Sequence, residues 1–228
     1  MSNSTRDQFN DLLRSEGLNA GIIPVSNIPN EESRLNEVNR LGILNRDLDQ
    51  EAQYNALTQL AAIITKSQIG LINILGSNIQ QCKTNFGFNV LESTLTEEMP
   101  REISICQYSL ASPQEPLIIN DLFLDERTKH FKKLEAYENL RFYAGSPLIS
   151  SRGFSIGTLC VIDDKPKKIE HDQIEGLRLL ADQVVNMLEQ EFNDNFNQNI
   201  DPEDISNVIE TNRITKYFST SSILLQIL

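Results

Sequence analysis

Histidine and cysteine are too scarce in this chain to encode a metal centre. His130 and His171 stand far apart with no partnering Cys/His cluster, and Cys82, Cys106 and Cys160 show no C-x-x-C spacing. Neither a structural zinc site nor a disulfide framework is therefore expected, and the thiols read as reduced. Positive charge is in deficit: 20 Lys and Arg face 32 Asp and Glu, a net −12. Such a balance repels phosphate backbones and anionic lipid head groups, which disfavours direct nucleic-acid binding. The short basic cluster Lys165, Lys167 and Lys168 around Pro166 reads as a solvated turn. Long apolar runs are missing too. None approaches the ~18 residues that a membrane span needs, and the polar start MSNSTRDQFN has no leader pattern, so a cytoplasmic protein is expected. No P-loop or H-E-x-x-H motif occurs. Asp163-Asp164 is an adjacent carboxylate pair whose members point apart at a strand end, which suits turn or cap duty.

What is present is a sheet hairpin. Phe142–Ile149 and Phe154–Ile162 flank Ser150-Ser151-Arg152-Gly153, a polar loop with Gly to absorb positive φ. Along the second strand Ile156, Thr158, Cys160 and Ile162 alternate with Gly157, Leu159 and Val161. Both faces are thus expected to be covered. Gly145 and Gly157 sit at strand positions where close approach of another group, a bulge or tight packing is the usual reason.

These residues carry a resemblance. Arg141-Phe142-Tyr143-Ala144-Gly145, Pro147-Leu148, Gly157-Thr158-Leu159-Cys160-Val161, Asp163 and Pro166 match the R-F-Y-A-G-x-P-L … G-T-L-C-V-x-D hairpin of GAF domains of a bacterial sensory subgroup. Met99-Pro100-Arg101-Glu102 with Ser104 and Cys106 resembles that subgroup's upstream P-R-E-x-S-F-C-x-H-A segment, and Leu41-Gly42-Ile43-Leu44 its first helix. Tyr108 stands where the subgroup has His, and Ile105 replaces an aromatic, so any role of that His is in doubt here. The resemblance implies an α+β fold: a central antiparallel sheet of about five or six strands with helices on its faces, as in GAF and PAS domains, the N- and C-terminal helices packed together.

Three regions are expected. Residues 1–30 read as a polar tail with at most a short helix around Phe9–Arg14. Residues 31–192 form the domain. In it Leu35, Val38 and Leu41 give one helical stripe, and Tyr54, Leu57, Leu60, Ala61 and Ile64, after a cap at Asp49, give a second. Ile69–Leu75 and Ile79–Phe86 form a first hairpin across Gly76-Ser77-Asn78. A short helix around Ile103–Ala111, a brief strand Leu117–Ile119 and a loop and helix between Asp121 and Leu140 follow, the last carrying Phe131, Leu134 and Tyr137 at i, i+3, i+6. The final domain helix, His171–Phe192, has Ile174, Leu177, Ala181, Val184 and Leu188 at a and d spacing. It faces either its own sheet or a dimer bundle shared with the helix around 31–44. Residues 193–228 form an extension in which Asp201-Pro202 and the Ile200/Ile205 staple start a short helix to about Lys216.

In GAF domains the segments before and within the hairpin flank a pocket on one side of the sheet. That resemblance makes Cys106, Tyr108, Asp121, Phe131 and Tyr143 the candidate lining residues. Cyclic-nucleotide GAF domains carry an N-K-x-x-F-x-x-x-D-E signature that is missing here. Bilin-binding relatives attach pigment through a Cys followed by His, whereas Gln107 follows Cys106. The cofactor is thus unknown. The chain is expected to be a noncatalytic sensory or regulatory module that binds an unidentified small molecule or signalling protein, forms a homodimer and reports by contact, since no output domain fits after it. A pocketless dimerisation scaffold is the alternative, and a thiol-dependent free methionine sulfoxide reductase a minor one.

Overall fold

A seven-residue apolar run with β-branched residues, Ile69–Leu75, is too short for a helix and buried throughout, which places it in the middle of a sheet covered on both faces. The computed structural model describes residues 3–48, 51–87 and 98–198. It shows a six-stranded antiparallel sheet in the order β3-β2-β1-β6-β5-β4. The strands are β1 (Ile69–Leu75), β2 (Ile79–Phe86), β3 (Glu98–Pro100), β4 (Leu117–Ile119), β5 (Phe142–Ile149) and β6 (Ser155–Asp163). Central β6 pairs with both β1 and β5 and is buried along its whole length. Its alternation puts Thr158, Cys160 and Ile162 on one face and Gly157, Leu159 and Val161 on the other. The β5–β6 turn closes where expected, with Gly153 at φ +82°.

One irregularity decides which residues of β2 face which way. Ile72 pairs with Thr84 but Asn73 pairs with Cys82, so Lys83 is the extra residue of a bulge. Thr84 therefore joins the Ile72 face, where its hydroxyl bonds to the Asn55 side chain, while Cys82 joins the Asn73 face. The Lys83 ammonium is buried and donates to the carbonyls of Leu44 and Arg46 at 2.9 and 2.7 Å; burial lowers its pKa.

Helices α2 (Glu31–Leu41) and α3 (Ala52–Thr65) pack on β6 and on β1, β2 and β6 respectively. The last helix, α4 (His171–Gln198), passes the end of α3, where Gln173 Nε2 donates to the Ile64 carbonyl at 2.8 Å. Leu177, Ala181, Val184 and Leu188 are fully buried within the protein itself. The a/d stripe of α4 thus faces its own domain rather than a dimer seam. Residues 1–189 form one compact unit and 190–228 a second, in which the described residues 190–198 are the end of α4. The helix expected after Pro202 lies outside the described residues, as does the cap expected at Asp49. No helix among the described residues is long and apolar enough to cross a membrane.

Two expectations need correction. Residues 3–20 are not a tail: they form α1 (Asn3–Ala20), which packs on β3 and on the turn Arg101–Ile103. Its buried stripe is Asn10, Gly17 and Ala20, small or polar, while Phe9, Leu12 and Leu18 are exposed. Hydrophobic periodicity pointed away from the contact face, and close approach at Gly17 against the Ile103 side chain makes it instead. Between Asp121 and Leu140 there is no α-helix. Short 3₁₀ turns at Phe131–Lys133 and Glu135–Tyr137 bury Phe131, Leu134 and Tyr137, whose spacing of three matches the three residues per turn of that helix.

Candidate functional site

The face of the sheet that carries Leu71, Asn73, Cys160, Ile162 and Tyr143 is covered chiefly by short segments, the 3₁₀ helix Ile105–Ala111 and the turns around Phe131 and Tyr137, with Ala20 at the end of the first helix joining the same core. Short segments leave carbonyls and side chains pointing inward, and a cavity of ≈ 20 Å³ remains between them and the strands. That is room for about one water molecule. Its wall contains Asn73, Gln80, Cys82, Cys106, Tyr143 and Cys160, with Leu71, Met99, Ile105, Tyr137 and Ile162 completing it.

Asn73 organises the polar part. A buried Asn in the centre of an apolar strand has to spend its hydrogen-bonding groups locally. Its Nδ2 donates to Cys106 Sγ and to Cys160 Sγ, each at 3.4 Å. Asn73 Oδ1 and Gln80 Oε1 are buried with no partner. Tyr143 Oη reaches Cys106 Sγ at 3.3 Å. It can do so because Gly145, two residues on and on the same face, has no side chain: a Cβ there would stand 2.4 Å from the Tyr143 hydroxyl. Gly157, by contrast, faces the β1 backbone at Asn73, where a Cβ would collide with the carbonyl.

The thiols are made unequal by these partners. Burial raises the Cys106 pKa, but the neighbouring Cys160 and the hydrogen bonds from Tyr143 and Asn73 outweigh it and bring the thiol down to about 7. Burial pushes the Cys160 thiol well up, and the neighbouring Cys106 adds to the rise. Burial likewise raises Tyr143, with the Cys106 charge adding to it. A negative charge in this pair belongs on Cys106, and Tyr143 stays a proton donor toward it.

Of the residues expected to line the pocket, Cys106 and Tyr143 stand in the wall. Phe131 lies behind it, fully buried and edge-on to Tyr137 at 4.8 Å between ring centroids. Tyr108 points the other way, its hydroxyl donating to the Ile23 carbonyl at 3.1 Å. Asp121 is outside: it pairs with Arg141 at 2.7 and 3.0 Å and accepts the Phe123 N–H. Asn73, Gln80, Cys82 and Cys160 were not singled out. A lone Asn inside Ile69–Leu75 is the signal that could have found the first, and strand alternation from it leads to Cys160. Among the described residues, no three His, Cys, Asp or Glu side chains come together as metal ligands.

The far end of β6 leads to a second cluster. The turn that joins β5 to β6 holds both flanking helices: the Ser151 N–H and hydroxyl donate to Glu189 of α4 at 2.8 and 2.9 Å, and Arg152 donates to the buried Glu37 of α2 at 3.2 Å. Arg40, paired with Glu37 at 2.8 Å, also attracts Glu189 and holds the Glu37 carboxyl below its ordinary range.

Comparison with known proteins agrees with this architecture. The GAF domain family matches residues 49–188. A cyclic di-GMP phosphodiesterase of Pseudomonas aeruginosa is 29% identical over 137 residues, which are 60% of this chain and 22% of that protein, so the chain spans about a fifth of its length. Two solved structures share the fold. The PixJ GAF domain of Thermosynechococcus elongatus, in its blue-light-absorbing form, has a TM-score of 0.50 at 14% identity, covering 69% of this chain and 88% of its own. The type II free methionine-R-sulfoxide reductase of Thermoplasma acidophilum has a TM-score of 0.50 at 15% identity, covering 61% and 92%.

Proposed function

The chain belongs to the GAF domain family, and from that premise we propose that it is a noncatalytic sensory or regulatory module whose cavity takes a small molecule and whose helices α2 and α4 carry the response. The observation that supports this reading is the polar wall. Buried acceptors without partners cost folding free energy, and an apolar residue at Asn73 or Gln80 would remove that cost. Asn73 and Gln80, whose Oδ1 and Oε1 have no partner, instead both line the cavity, where a ligand with hydrogen-bond donors would satisfy them. Anything larger than water must displace the 3₁₀ segments over the sheet, which couples binding to a change of shape.

Native mass spectrometry of the protein purified from its own cells tests this directly. A retained small molecule that is lost in Asn73→Leu, with altered amide exchange over residues 31–41 and 171–189 on rebinding, is the expected result. An empty protein whose exchange responds to no candidate metabolite overturns it.

A second reading, a dimerisation scaffold without a ligand, draws on the small cavity and on Leu60, Ile63 and Leu179, large apolar side chains that α3 and α4 leave exposed. An empty dimer dispersed by Leu179→Glu without loss of fold favours it. Reduction of free methionine sulfoxide is a third reading, and stoichiometric loss of thiols on adding that compound to the reduced protein is its test.

A further inference from the structure

The sensory reading gives the cavity's sulfur atoms no task, yet their arrangement is chemically asymmetric. Cys106 Sγ receives hydrogen bonds from Asn73 Nδ2 at 3.4 Å and Tyr143 Oη at 3.3 Å, and the neighbouring Cys160 also favours its ionised form. These donors stabilise an anion on Cys106 in a site that offers it no cation. Asn73 Nδ2 holds Cys160 Sγ at 3.4 Å too, so both sulfurs are fixed about one nitrogen. Cys160 lies on β6 and Cys106 on the 3₁₀ helix Ile105–Ala111 above it, and the bulge at Lys83 turns Cys82 into the same cavity wall. Cys82 is nevertheless not among the donors to either sulfur; its thiol turns to the Thr84 carbonyl at 3.5 Å in its own strand. The pair therefore sets the more readily ionised thiol beside a protonated one, the two partners that thiol oxidation requires. The cavity against them admits a molecule the size of water.

We propose that Cys106 is a peroxide-reactive thiol resolved by Cys160, so that a small hydroperoxide closes a Cys106–Cys160 disulfide across the cavity. In the first step the Cys106 sulfur attacks the terminal peroxide oxygen. An S–O bond forms, the O–O bond breaks, and the leaving oxygen takes up one proton from water, equal to the one Cys106 released on ionising, to depart as an alcohol, or as water when the oxidant is hydrogen peroxide. In the second step the Cys160 sulfur attacks Cys106 Sγ. The S–S bond forms, the S–O bond breaks, and the hydroxide leaves as water with the Cys160 proton. Two thiols lose two electrons, and the hydroperoxide gains them. A cavity with room for about one water excludes bulky organic hydroperoxides, and hydrogen peroxide, one oxygen larger than water, enters with a small displacement of the 3₁₀ segments. The cross-link would pin the 3₁₀ helix to β6 beside Asn73. This chemistry goes beyond the ligand reading and does not need it: a bound molecule would shield Cys106, and an empty cavity leaves it reactive.

The experiment is a thiol map of the reduced full-length protein exposed to hydrogen peroxide, with remaining thiols alkylated after unfolding. The expected product has lost about 2 Da, the two thiol hydrogens, with Cys106 linked to Cys160 in a single chain and Cys82 fully alkylated. Cys82→Ser is expected to give the same link. Cys160→Ser is expected to stop at a sulfenic acid on Cys106, a gain of about 16 Da that a cyclic 1,3-dione captures. Tyr143→Phe, which removes one donor and keeps the ring, is expected to slow the reaction at pH 7 and move its pH midpoint upward. A link through Cys82, a link between chains, or alkylation of all three thiols under peroxide that fully oxidises a free low-molecular-weight thiol overturns the proposal. The wild-type map decides this by itself if a variant does not fold.

Discussion

The two faces of the sheet are covered by different means and do different work. On one, Ile72, Ile74, Leu159 and Val161 are closed over by long helices, and the polar Thr84 among them is matched by Asn55. On the other, 3₁₀ turns leave Asn73 and Gln80 with unmet acceptors and hold two thiols and a phenol within reach of one another. Burial of apolar area stabilises the first face. The second forgoes some of that stabilisation by burying acceptors without partners.

The comparison breaks hardest on the helix face. Val184→Asp puts a charge where the side chain is fully buried and is expected to cost about 3–5 kcal/mol, seen as loss of the thermal transition. A folded, monomeric variant would mean that Val184 faces a partner chain. The next largest effect is a pH dependence on the cavity face. Cys106 titrates at about 7 when folded, against about 8.5 unfolded. A lowered pKa stabilises the fold fully above the unfolded value, and the gain is lost as pH falls through the folded one. Denaturant melts of wild type and Cys106→Ser are thus expected to diverge in favour of wild type from pH 6 to pH 8.5 and to run parallel below. The raised Cys160 loses its contribution only at more alkaline pH.

Asn73→Leu sharpens the contrast from the other side. It removes an unpaired acceptor with the donors it accompanies, so stability is expected to change by no more than about 1 kcal/mol. The Cys106 pKa, followed by thiolate absorbance, rises all the same. The smallest effect is expected at Asp121→Asn, outside both faces. Arg141, its partner, is a third exposed, so screening limits the cost to at most about 1 kcal/mol, with the thiol map unchanged. The Arg141 guanidinium lowers the Asp121 pKa. What the pair adds is present above the unfolded carboxylate range and disappears as pH falls through the folded value.

Much of this was legible in the sequence where a residue's neighbours along the chain decide its place. The strand pairs Ile69–Leu75 with Ile79–Phe86 and Phe142–Ile149 with the strand ending near Asp163 are written in alternation and turn residues. Cys106 and Tyr143 followed from resemblance to the family's hairpin and its upstream segment. Other features depend on residues distant in sequence. The bulge that turns Cys82 inward arises from a register shift against β1, and no local pattern announces it. α1 docks through Gly17, Ala20 and half-buried Leu13 rather than through Phe9, Leu12 and Leu18, because a missing side chain at Gly17 permits the approach. Asp121 looked like a site residue by its place in the chain, but Arg141 claims its carboxylate.

The β5–β6 turn, described above as the attachment point of two helices, also fixes a length. From Cys160 in the cavity wall to Gly157, β6 is an extended strand of about 10 Å bonded to a neighbour on each side, and beyond the extra residue Ile156 it is paired to β5 alone at Ser155. A strand so held does not stretch; it can only slide or tilt. A displacement at its cavity end is therefore directed along the strand toward Ser151 and Arg152, where Glu189 and Glu37 are fastened. β6 is in that sense a push-rod, and α2 and α4 are two levers on one pin.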